Sequence, residues 1–153
     1  MDWGSYHEWN PFVRNQCLTD PSKNPLPASQ QTPRAGAHLL IRPVHIPPSF
    51  DSPKIFPAGS AFEVITTFDL ENYRCAWKNV EWPDWALDAE RWQALVEVVE
   101  DGRKKTRYET IEVFNGLLAY PISYFVGSGL QAGFSAMAQG LKKRSEEKGS
   151  QRS

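Results

Sequence analysis

The sequence predicts an α+β architecture, a meander of antiparallel strands closed by one long C-terminal helix. Three observations carry this. No charged residue occurs between Glu112 and Lys142, and in that stretch Leu130, Phe134, Met137 and Leu141 follow i, i+4, i+7, i+11 spacing, the apolar stripe of an α-helix. From Ala61 onward, alternating segments follow one another closely, separated by turn signals. Ten of the twelve prolines fall between Pro11 and Pro57, so that region holds little helix.

Taken in order, Trp3, Tyr6, Trp9 and Phe12 recur every three residues, the spacing of a short helical turn pressed on a core, and Asn10-Pro11 marks a turn within it. Residues 13–19 read as a strand. Residues 20–35 carry four prolines and little apolar surface, which predicts a poorly ordered loop. Residues 37–46 read as a strand that Pro43 pushes toward an edge or a bulge, and a second loop follows. Strands are then expected over 61–68, 73–80, 89–100 and 105–114. Asp69–Asn72 turns between the first two, Trp82 and Trp85 lie in the next connection, and Asp101-Gly102 is a hairpin signal. Asn115-Gly116 releases the chain into a helix from Leu117 to about Lys148. Pro121 suits its first turn, and Lys142, Lys143 and Arg144 suit its C-terminal half. One domain is expected over 1–148, with 149–153 as a disordered tail.

Gly129, Gly133, Ala136 and Gly140 form a second, small-residue stripe on this helix. Interior glycine costs about 1 kcal/mol relative to alanine, so the stripe implies either close approach of another surface or room for a ligand. The stretch is long enough to span a bilayer and contains a GxxxG pair. However, Ser123, Ser128, Gln131, Ser135 and Gln139 dilute it, and a buried helix without stable membrane insertion is preferred.

Net charge is −1, which leaves no electrostatic footprint for nucleic acid. Arg103, Lys104, Lys105 and Arg107 sit among acidic neighbours and read as a solvated turn. Cys17 and Cys75 stand alone, with no CxxC, HExxH or paired histidines, so no metal site is expected. His38 and His45 lie on different faces of one strand. The start has neither a basic segment nor an apolar core, which points to a cytoplasmic protein.

Four segments resemble the START-like, or SRPBCC, helix-grip superfamily, in particular its polyketide cyclase/dehydrase-like branch. Tyr6–Val13 (YHEWNPFV) is similar to its Y-x-x-W-N-P-F turn, and Glu71–Asn79 (ENYRCAWKN) to a strand with an Ala-Trp pair. Residues 89–98 (AERWQALVEV) resemble the next strand. Thr106–Tyr120 resembles the last strand, whose E-x-F-x-G leads into the gripped helix. The resemblance implies a curved sheet wrapped around the helix, with the family's first strand and helix missing here. That absence would leave Lys105–Phe114 as an open edge and favour a homodimer or a marginally stable chain.

The resemblance further implies a hydrophobic small-molecule ligand, polyketide-like or lipid-like, and cofactor-free cyclase, dehydratase or isomerase chemistry. A non-catalytic carrier, or an interaction protein without ligand, is the alternative. Strand parity groups Glu90, Trp92, Ala94 and Val96, and on the neighbouring strand Thr106, Tyr108, Thr110, Glu112 and Phe114. If both faces look inward, Glu90, Glu112 and Tyr108 are the catalytic candidates, since an apolar cavity raises a carboxyl pKa toward neutrality. Trp9, Trp77, Trp92, Thr110, Phe114, Phe125, Gly133, Phe134 and Met137 are the candidate ligand contacts. Glu112 could equally serve only to hold the helix start or to pair with Arg91 or Arg107, and Glu90 could face solvent. Trp9 and Asn10 could be purely structural, and Trp82 and Trp85 could gate the ligand or pack a loop.

Overall fold

In the computed structural model, which describes residues 3–51 and 58–150, six strands form one sheet in the order of the chain. They are β1 (Gln16–Thr19), β2 (His38–Val44), β3 (Gly59–Asp69), β4 (Arg74–Asn79), β5 (Asp88–Glu100) and β6 (Arg103–Asn115). A short helix α1 (Tyr6–Trp9) precedes them and a long helix α2 (Ala119–Ser150) follows. Among the described residues the sheet is open, and β6 ends it. This is the α+β layout predicted. By their contacts the residues divide into two compact units, one of Met1–Cys17, Leu40–Ala61 and Tyr120–Ser153, the other of Leu18–Leu39 and Phe62–Ala119.

In the first unit, Asn10 is fully buried and its side-chain oxygen accepts hydrogen bonds from the Phe12 and Val13 N–H groups at 3.0 and 3.1 Å. This Asx turn supplies partners that Pro11 interrupts. The strand expected from Val13 starts only at Gln16, and Val13 forms an isolated bridge to Val44. Asn10→Ala is expected to lower stability by about 2–3 kcal/mol, because it strands two buried N–H groups. Urea unfolding will measure it.

The glycine stripe of α2 is filled by protein. A Cβ on Gly129 would collide with Ile46, one on Gly133 with the Phe12 ring, and one on Gly140 would lie 2.5 Å from the Trp9 carbonyl oxygen. Close approach, rather than room for a ligand, explains these three positions. Met137 is buried, Phe134 stands edge-on to Phe12 at 5.4 Å between ring centres, and Arg144 pairs with Glu8 at 2.7 Å. The first turns of α2 differ: Tyr120, Tyr124 and Phe125 are largely exposed. Among the described residues no helix is long and apolar enough to cross a membrane.

In the second unit the proline-rich loop is pinned by its own polar side chains. Asp20 accepts bonds from the Ser22 and Asn24 N–H groups. The Gln31 amide accepts from Leu18 N–H and donates to the Leu18 and Leu26 carbonyls. Composition suggested disorder; Asx-type and amide bonds offset it locally.

β5 and β6 form a hairpin paired from Asp88↔Asn115 to Glu100↔Arg103, turning at Asp101 and Gly102, both with positive φ. Three basic residues of β6 pair with carboxylates, Lys104 with Glu97, Lys105 with Glu100 and Arg107 with Glu109. Beyond β6, the Leu117 and Leu118 N–H groups bond to the Trp85 and Ala86 carbonyls, which holds them out of the helix and starts α2 at Ala119. Gly116 makes that departure, with φ +90° and a Cβ position only 2.7 Å from the Ala86 oxygen. The C-terminal end of α2 includes Gly149 and Ser150; the rest of the expected tail, 151–153, lies outside the described residues, as do 52–57 of the second loop.

Candidate functional site

The register of the second unit sorts its side chains onto two faces. Glu63↔Asn79 and Ile65↔Trp77 join β3 to β4, Trp77↔Arg91 and Cys75↔Gln93 join β4 to β5, and Arg91↔Glu112 and Gln93↔Thr110 join β5 to β6. Directly opposed residues share a face, so Trp77, Arg91 and Glu112 form one row across three strands. Thr110 and Tyr108 continue it along β6, and Glu63 and Ile65 border it on β3. This is the inner face: Cys75, Trp77, Arg91, Gln93 and Glu63 are all buried.

The parity assigned to β6 gathers Tyr108, Thr110, Glu112 and Phe114 here, all less exposed than Glu109, Ile111 and Val113 between them. The expected companions on β5 are not here. Glu90 stands opposite Val113 and Trp92 opposite Ile111, on the outer face, where Trp92 is 39% exposed. Glu90 accepts a hydrogen bond from the Thr66 hydroxyl at 2.8 Å, beside the bulge between Ile65 and Thr67. Glu90 and Glu112 therefore point to opposite sides of the sheet. Arg91 is buried on the inner face directly opposite Glu112, and strand alternation turns the flanking Trp92 outward.

The residue the sequence reading missed is Glu63, 6% exposed. One of its carboxylate oxygens, Oε2, has no hydrogen-bond partner among the described residues, nor has the Gln93 side-chain nitrogen. Burial, and then the like charge of Glu112, push its pKa up to about 8, with Arg91 pulling the other way. Its signal was parity with Ile65 in Phe62–Phe68, legible only once β3 was set against Asn79 and Trp77. Burial also raises Glu112, again opposed by Arg91. Tyr108 is raised by burial against the pull of Arg91 and Thr110, and Cys75 is pushed up to about 11, which leaves its thiol protonated and unreactive. Arg91 donates to the Thr110 hydroxyl at 3.3 Å, and its guanidinium lies 6.0 Å from the Trp77 ring centre.

The arrangement places a neutral carboxylic acid, a second carboxyl group, a fixed cation, a phenol and an indole on one water-poor face. Trp9, Gly133, Phe134 and Met137 pack the first unit, and Phe125 is 77% exposed there against Tyr124. Trp82 and Trp85 are exposed on the β4–β5 connection. His38 stacks on Phe62, and His45 bonds to the Ser49 carbonyl. Among the described residues no group of three His, Cys, Asp or Glu is placed to hold a metal ion. Compared with models of known families and with curated proteins, the chain matches none.

Proposed function

We propose that the inner face of β3–β6 binds a largely apolar small molecule carrying a carbonyl group, of polyketide-like or lipid-like type, and that the α+β layout is of the START-like helix-grip kind. The observation that supports the reading is the buried Glu63 carboxyl group with an unpartnered oxygen beside Arg91 and Glu112. A buried polar atom left without a partner costs about 1–3 kcal/mol, and a ligand that bonds to it recovers that cost. The Trp77 ring supplies apolar contact, and Arg91 a fixed positive charge for a carbonyl oxygen.

The same groups suit cofactor-free proton transfer. In this reading Glu112 removes a proton from the carbon next to one carbonyl, Arg91 stabilises the resulting enolate oxygen, the enolate carbon adds to a second carbonyl of the same molecule, and Glu63, protonated through neutral pH, gives a proton to the alkoxide so formed. Glu90, on the other face, takes no part. The open edge of β6 is left for a protein partner.

Native mass spectrometry of the chain after incubation with a metabolite extract tests this. Wild type is expected to retain one added small mass that Arg91→Met loses. With that compound identified, Glu63→Gln is expected to hold it without converting it. A bare wild-type chain, or equal retention by Arg91→Met, would refute the reading. Retention without conversion by wild type would make the protein a carrier.

A further inference from the structure

We infer that β6 is the interface of a twofold-symmetric dimer, in which a second copy of this chain adds its own β6 antiparallel to the first. Among the described residues β6 pairs with β5 alone, and every one of its residues from Arg103 to Asn115 is at least partly exposed. The Leu95 N–H bonds to the Tyr73 carbonyl at 3.1 Å, so Leu95 turns its main chain toward β4 and makes no main-chain bond to Tyr108 opposite it. Tyr108 therefore turns its own N–H and C=O outward. By alternation so do Lys104, Thr106, Thr110 and Glu112, a row of unpaired groups along the sheet edge.

The charges along β6 identify the occupant. Its first half carries Arg103, Lys104, Lys105 and Arg107, and its second half Glu109 and Glu112. An antiparallel copy brings the basic half of each strand against the acidic half of the other. A twofold axis perpendicular to the sheet keeps faces together and allows only registers that step by two residues. Centring the axis on Tyr108 sets Lys104 against Glu112, Thr106 against Thr110, and Arg107 against Glu109, each twice. Shifting the centre to Arg107 or Glu109 sets like charges against each other, and shifting it to Thr110 loses both charge pairs. The Tyr108 register also forms about ten main-chain hydrogen bonds. The existing Arg107–Glu109 and Lys104–Glu97 pairs are exposed, so they yield to rearrangement at little cost.

This pairing does not depend on the ligand reading, but it touches the same site. The second copy's Lys104 would stand across from Glu112, adding a cation to the inner face.

Sedimentation velocity of the full chain tests it, with circular dichroism as the check on folding. Wild type is expected to be a dimer that weakens as salt rises. Glu109→Arg should be monomeric, and the double variant Arg107→Glu with Glu109→Arg should recover the dimer. Thr106→Pro removes one outward N–H and no bond to β5, and should give a folded monomer. A monomeric wild type would overturn the inference. So would a dimer unaffected by both Glu109→Arg and Thr106→Pro, which would place the contact elsewhere, such as the exposed aromatic start of α2. Loss of dimer with retained small-molecule mass separates this result from the ligand test.

Discussion

Glu63→Gln is expected to make the protein more stable than wild type at pH 8, by several kcal/mol, while leaving the two nearly equal at pH 4. The carboxyl group of Glu63 is raised from 4.5 to about 8 in the folded state, first by burial and then by Glu112. Below the unfolded value both states are protonated and the native state carries no penalty. Between pH 4.5 and about 8 the unfolded state has released this proton and the folded state has not, so wild-type stability falls as pH rises. The slope is about 1.4 kcal/mol per pH unit for one proton. Glutamine has no proton to release, so the variant keeps only the slope of other groups, Glu112 among them, whose raised pKa has the same sign. Urea unfolding of both proteins from pH 4 to pH 8.5 measures the divergence. Parallel profiles would mean that Glu63 is not held neutral.

Gly133→Leu is expected to lower stability by about 2 kcal/mol. A Cβ at this position would overlap the Phe12 ring, with Cε2 at 2.6 Å, and Phe12 is itself buried against Phe134. Overpacking of this kind costs about 1–3 kcal/mol or more, against a gain of about 1 kcal/mol from replacing glycine in a helix. Gly127→Ala in the same helix is the contrasting case. Its Cβ would meet only the Ser123 hydroxyl at 3.9 Å, so it should stabilise by about 0.5–1 kcal/mol. Thermal and urea unfolding of the two variants should move in opposite directions. Destabilisation by both would show that α2 tolerates no loss of glycine for reasons other than the Phe12 contact.

Strand order and the limits of the later elements were legible because turn chemistry punctuates them: Asp69–Asn72, Asp101-Gly102 and Asn115-Gly116 each mark the end of an observed strand. The grouping of Tyr108, Thr110, Glu112 and Phe114 on one side of β6 was legible from its alternation. The inward side of β5 was not. Its alternation offers Trp92 to one face and Arg91 to the other, and hydrophobicity alone favours burying the tryptophan. What reverses the choice is Glu112, directly across the ladder from Arg91, whose carboxyl group attracts the buried guanidinium. That compensation exists only after the strands are assembled. The glycine stripe was legible as a signal of close approach, but Phe12, Ile46 and Trp9, which occupy it, are remote in sequence.

Tyr108, Thr110 and Glu112 do two things at once. Their side chains belong to the inner face, and their main-chain groups form the free margin of the sheet. A molecule held by the side chains and a strand held by the main chain would act on the same three residues, so each would restrict the freedom that the other must also restrict. Ordering by one would lower the entropic cost of the other, and by thermodynamic reciprocity the two affinities would rise by one common factor. Occupancy of the sheet face and assembly at the sheet margin would then be one linked equilibrium, with self-association as a concentration-dependent control on ligand affinity.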